Sequence, residues 1–115
     1  MPKPGQIAYV QLPNTNLTLG KNRPVLVLGR CPGKFDDWLV CPVSSRQYQA
    51  TPDVDELVNA DDVDYSATGL AMPSVIRVCR LATVESSVLT GAIGSVGSKR
   101  LARILSNLRK WINNL

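Results

Sequence analysis

Any chemistry this chain performs has to be done without histidine. The sequence contains none, which removes the side chain that most often moves protons near neutral pH. The three cysteines, Cys31, Cys41 and Cys79, are odd in number and irregularly spaced, so no disulfide framework is expected. With no close Cys pair, a zinc site lacks ligands, and neither metal nor cofactor is expected. Arginine, lysine, carboxylates, hydroxyls and thiols remain. The net charge is +4, and the stretch 52–64 carries six acids and no base. Removing that −6 leaves +10 on the rest of the chain, a distribution that suits either a polyanionic partner or a merely solvated surface. Trp38 and Tyr48 could stack on unpaired bases. Trp38 lies in an apolar run and is expected in the core, whereas Tyr48, in a polar stretch, is the better candidate for stacking.

The elements that must position these groups are short. At 115 residues the chain fits one domain over 1–115, large enough for a core of its own. Gln6–Leu12 alternates as an opening strand, and Pro13–Asn16 follows as a turn. Arg23–Gly29 is nearly all apolar, as expected of a central strand buried on both faces. After the turn at Cys31–Lys34, a third strand spans Asp37–Val43, with Pro42 at a bulged or edge end. Ser44–Ala67 is polar and acidic and reads as a long loop, with at most one short element near Val54–Val58. Ser74–Thr83 carries the strongest β signal, and Leu89–Val96 reads as a turn and a short strand. Leu101, Ile104, Leu105, Leu108, Trp111, Ile112 and Leu115 form one stripe at helical period, so Trp111 is expected in the core. Ser98 is the expected N-cap, and Lys99, Arg100, Arg103, Arg109 and Lys110 are expected on the solvated face. Strands followed by one helix predict a small, strongly bent antiparallel sheet or barrel packed on that helix. No stretch is long and apolar enough to span a membrane, and Met1–Gln6 has no apolar signal core, so a cytoplasmic protein is expected.

The order of features resembles the MazF/PemK family of toxin ribonucleases. The opening strand starts Gly5-Gln6-Ile7-Ala8-Tyr9-Val10, and an Arg-Pro-Val-Leu-Val strand stands at Arg23–Val27. The third strand ends in Cys41-Pro42-Val43-Ser44-Ser45. Gly69-Leu70-Ala71-Met72-Pro73-Ser74-Val75-Ile76, Ala82-Thr83-Val84 and Gly91-Ala92-Ile93-Gly94 complete the series. The resemblance implies an SH3-like small barrel with a C-terminal helix, working as a homodimer. It further implies metal-independent, sequence-selective cleavage of single-stranded RNA, mRNA in particular, and inhibition by a cognate antitoxin.

It also assigns roles. Arg23 matches the family's catalytic arginine before proline, where a guanidinium forks onto two phosphate oxygens; the local sequence alone equally allows a strand-end surface ion pair. Ser44 takes the place of the active-site Thr/Ser, with Ser45 beside it, although hydroxyls in such a turn also satisfy nearby backbone. Arg77 matches a functional arginine two residues before an acid, and here Cys79 stands where that acid would be. Alternation along one continuous strand would put Arg77 and Cys79 on the same face, but Cys79 reads better as a small core hydrophobe. The segment Gly20-Lys21-Asn22 has a lysine where the family often has an acid. Ala82 replaces an arginine, and Arg80 lies on its strand face. Lys21, Arg46 and Arg80 are candidate phosphate contacts, and Ser45 and Tyr48 complete the expected RNA-binding set. The same fold without catalysis, as in CcdB-type toxins that bind DNA gyrase, and a non-toxic RNA- or protein-binding module are the alternatives.

Overall fold

The computed structural model describes residues 1–11 and 20–115; the expected turn at 13–16 and residues 12, 18 and 19 lie outside them. Seven strands occur among the described residues, all paired antiparallel: β1 Gln6–Gln11, β2 Asn22–Arg30, β3 Asp37–Ser44, β4 Glu56–Val58, β5 Ser74–Ile76, β6 Ala82–Glu85 and β7 Leu89–Ser95. Helix α1 spans Tyr65–Thr68 and α2 spans Ser98–Asn113. The sheet runs β4-β5-β3-β2-β1-β7, with β6 branching from β3. The fold is mainly β with a C-terminal helix, as expected, and among the described residues the two ends of the sheet, β4 and β7, do not pair.

Period-two alternation builds two apolar layers from the same three strands. Ile7, Leu26, Leu28, Cys41 and Val43 face α2 and meet Ile104 and Leu108 there. The residues between them, Ala8, Val10, Val25, Val27, Trp38 and Val40, fill a second cluster on the opposite face. β2 is thus buried on both sides, which accounts for its unbroken apolar run. Trp38 belongs to this core, with its indole N–H donating to Asp36 Oδ1 at 2.9 Å.

The sheet turns its corner at Pro42. The first half of β3, Asp37–Val40, pairs with β6, and Val43–Ser44 pair with β5. The segment Ser74–Thr83 is therefore two strands rather than one. Arg77 N–H donates to Pro42 O at 2.9 Å, but proline has no N–H to return. The next amide, Val78, donates instead to the Asp55 carboxylate at 2.9 Å. With both rungs diverted the ladder stops, and Arg77–Arg80 makes a turn. The Gly91–Gly94 stretch corrects the other way: it lies inside β7, an outer strand that follows β1 through two register shifts. Between Ser44 and Ala67 the expected loop holds a 3-10 turn at Gln47–Gln49 as well as β4 and the start of α1.

Glycine is required where α1 crosses β7. Gly69 ends the helix at φ +71°, and a methyl there would sit 2.1 Å from Ile93 O. At Gly94 the same addition would meet Ala67 O at 2.2 Å.

Helix α2 departs from expectation at both ends. Gly97, not Ser98, is the N-cap, and its N–H donates to Asp64 Oδ2 at 2.9 Å. The buried ridge is Arg100, Ile104 and Leu108; Ile104 and Leu108 belong to the predicted stripe, with Leu101 and Leu105 partly buried beside them, and Arg100 is the unexpected member. Trp111 is 37% exposed, and Ile112 and Leu115 are more so, so the apolar stripe continues past the part of the helix that the core covers. Arg100 is only 6% exposed and is held by Glu56, Asp62 and Asp64, all at 2.8–3.3 Å. Half the acidic segment thus neutralises an internal guanidinium instead of facing solvent. Among the described residues no helix is long and apolar enough to cross a membrane.

Arg100 holds the Asp64 carboxyl down from its ordinary 3.8 to about 2, helped by the Gly97 amide. A carboxyl whose folded pKa lies below its unfolded value contributes stability that is complete above the unfolded pKa and lost as pH falls toward the folded one. The urea unfolding midpoint should therefore drop between about pH 4 and pH 2. Asp64→Asn should show a lower midpoint at neutral pH and a shallower drop over that window; equal slopes would contradict this.

Candidate active site

The corner at Pro42 opens a groove of about 600 Å³ beside the ends of β2, β3 and β5. Strand register sets its geometry. Val25 pairs with Pro42 at the end of the β2–β3 ladder, and Arg23 and Ser44, each two residues beyond that pair, both line the groove. On the other side of β3, Ser44 pairs with Val75, and Arg77 follows β5 by one residue. Arg23 is exposed and Ser44 half-buried, so neither is sealed from solvent. Lys21, Arg23, Ser44, Ser45, Arg46, Arg77 and Arg80 all line this one groove. Five of these are cationic, and no carboxylate lines the groove among the described residues. Crowded positive charge with no anion at hand favours a phosphate-bearing ligand.

Ser44 Oγ accepts the Arg46 amide at 3.1 Å, the local turn bond that its position allowed. Accepting that bond uses a lone pair and leaves the O–H to donate. Arg77 is braced from behind, its Nε donating to Asp55 Oδ2 and its Nη1 to Gln49 Oε1, both at 3.2 Å. Tyr48 stands 81% exposed between Arg46 and Gln49, outside the groove lining but at its border. Gln47 anchors this turn by donating to Asn59 Oδ1 at 2.9 Å and to Ser74 O at 3.2 Å.

Cys79 does not take the place of an acid beside Arg77. It sits in the turn after β5 and lines a separate apolar cavity of about 410 Å³, with Val40, Leu81 and Val84. Burial, with the negative charge of Asp55, pushes its thiol pKa up, and burial takes Cys41 up to about 12. Neither thiol is a nucleophile at neutral pH. The sequence reading missed Tyr9, Asn22, Gln49 and Met72 in the lining and Asp55 behind it. Tyr9 comes there by pairing with Pro24, a register that only the fold shows.

Residues 3–112 match the family described as PemK-like, MazF-like toxins of type II toxin-antitoxin systems. The chain belongs to this family. Among solved structures, this PemK/MazF toxin is similar to the Mycobacterium tuberculosis toxin MazF-mt6, with a TM-score of 0.68 at 21% identity, over 94% of this chain and 96% of that one. A MazE-MazF structure from Deinococcus radiodurans superposes with a TM-score of 0.72 at 19% identity, over 97% and 96% of the two chains. At such identities the likeness speaks for the fold. Curated protein sequences give no match.

Within the family pattern, Arg80 reaches the groove where Ala82 cannot, since the turn after β5 carries it to the rim. Lys21 lines the groove in the segment that lacks an acid.

Proposed function

We propose that this toxin is an endoribonuclease that cuts single-stranded RNA by attack of a ribose 2′-OH on the adjacent phosphodiester, without a metal ion. The observation that supports it best is the convergence of Arg23, Ser44 and Arg77 on one exposed groove lined by cations. Arg23 would fork onto the two non-bridging oxygens, and Ser44 Oγ–H would donate to one of them. Arg77 would take up the charge that grows as the phosphorus becomes five-coordinate. The 2′-oxygen forms its bond to phosphorus as the bond to the 5′-oxygen breaks, leaving a 2′,3′-cyclic phosphate and a 5′-hydroxyl. The proton lost by the 2′-OH and the one gained by the 5′-oxygen exchange with water in the open groove. Rate enhancement then rests on charge stabilisation and alignment.

Lys21, Arg46 and Arg80 would hold flanking phosphates, and Ser45 a sugar or phosphate oxygen. Tyr48 would stack on a splayed base. A partner antitoxin and a homodimer are part of the same reading, supported by the family and by the likeness to the MazE-MazF structure from Deinococcus radiodurans. Purified protein incubated with a long RNA in EDTA should give fragment ends that share a short sequence; RNA left intact would overturn the reading. Tyr48→Ala should weaken binding of a non-cleavable 2′-O-methyl RNA by about 1–3 kcal/mol in a titration. The single-turnover rate at saturation should hardly change. An unchanged affinity would remove Tyr48 from the interface.

A further inference from the structure

The carboxylate behind the groove has more than a packing role. Asp55 is 3% exposed at its side chain, and its oxygens accept from three donors: Val78 N at 2.9 Å, Thr51 N at 2.9 Å and Arg77 Nε at 3.2 Å. Buried and so occupied, it cannot reach a substrate proton. What it can do is fix Arg77. An arginine side chain has many rotamers to lose, and a guanidinium that must still find its place when charge develops stabilises that charge less. Here the Nε edge is clamped by Asp55 and one Nη1–H by Gln49. Three of the five N–H donors, including both on Nη2, remain for an oxyanion.

The same carboxylate sets the backbone on which Arg77 stands, since its bond to the Val78 amide ends β5 and begins the turn. Through Arg77 it also reaches the stacking side of the groove, because Arg77 Nη1 holds Gln49, which ends the 3-10 turn that carries Tyr48.

Resting on the RNA-cleavage reading of this groove, we propose that Asp55 is a positioning residue that presets the Arg77 guanidinium and its distance from the Tyr48 turn. It touches no substrate itself and reaches the reacting phosphate only through Arg77, so its effect falls on the chemical step more than on RNA binding.

A double-mutant cycle tests this with Asp55→Asn, Arg77→Ala and the double variant. Single-turnover cleavage of a transcript containing every trinucleotide gives the rate, and titration with a 2′-O-methyl RNA of the cut sequence gives affinity. Both are counted per folded molecule from the unfolding amplitude. Asp55→Asn removes the charge that holds Arg77 and, in either amide orientation, turns an N–H toward at least one of the three donors; it should slow cleavage on the order of 10²-fold, with affinity changed far less. In the Arg77→Ala background it should cost almost nothing, because residues that act as one unit are not additive. Asp55→Glu, which keeps the charge but moves it, should also lose rate per folded molecule, and it takes over the cycle if the asparagine variant fails to fold. Additive losses, or full activity per folded molecule in either variant, would overturn the positioning role while leaving the nuclease reading intact. If the wild type binds the 2′-O-methyl RNA but cuts nothing, the nuclease reading falls, and with it the effect on the chemical step proposed here. If it neither binds nor cuts, both readings fall together.

Discussion

Replacing Arg23 with alanine is expected to slow RNA cleavage on the order of 10²–10³-fold without lowering the thermal unfolding midpoint. The side chain is exposed at the start of β2, so its loss opens no cavity and strands no buried charge. The whole effect should fall on the transition state, where a planar fork meets two phosphate oxygens as their charge grows. Lysine should not restore the rate: it keeps one positive charge but offers a point donor in place of the fork. Single-turnover rates at saturating RNA separate this from weaker binding. An Arg23→Lys rate close to wild type would mean that the groove needs charge at this position and not geometry.

Arg100→Ala is the largest expected change in stability. The guanidinium is almost fully buried, and its removal leaves Glu56, Asp62 and Asp64 facing one another across the space it filled. Arg103, exposed and 3.0 Å from Glu56, answers only one of the three. Breaking such a buried group by deleting one side costs about 3–5 kcal/mol, which in a chain of this size lowers the melting temperature on the order of 15 °C. The deficit should shrink as the pH falls and the stranded carboxylates take up protons. A loss below about 1 kcal/mol, within the range of surface ion pairs, would show that the cluster is hydrated and not part of the core.

These two arginines also show what the sequence could reveal. The place of Arg23 in the groove was legible because a resemblance pointed to it and its neighbours, Pro24 to Gly29, form a run too apolar for anything but a central strand. The first three strands and α2 were legible from periodicity alone. Arg100 was not: a charged residue flanking an apolar stripe reads as solvated, and only the fold brings three acids from 36 to 44 residues upstream against it. The same distance hid Asp55, 22 residues from Arg77, inside a segment that looked like a solvated acidic run. Ser74–Thr83 misled for the opposite reason. Its β-branched residues call for one strand, but Pro42, a residue with no amide to give, sits across from Arg77 and ends the pairing. Trp111 follows the apolar period, but periodicity does not say how far along the helix the core reaches, and the last buried helix residue is Leu108. The glycines of Gly91–Gly94 read as a turn because glycine is common in turns, whereas Gly94 serves close packing against α1.

The account stands or falls on the ends of the RNA fragments. Mass spectrometry of the products formed in EDTA should find a 2′,3′-cyclic phosphate on each upstream fragment and a 5′-hydroxyl on each downstream one. Fragments ending in 3′-hydroxyl and 5′-phosphate would mean that water, not the ribose 2′-OH, attacks phosphorus, and would contradict the mechanism assigned to Arg23, Ser44 and Arg77.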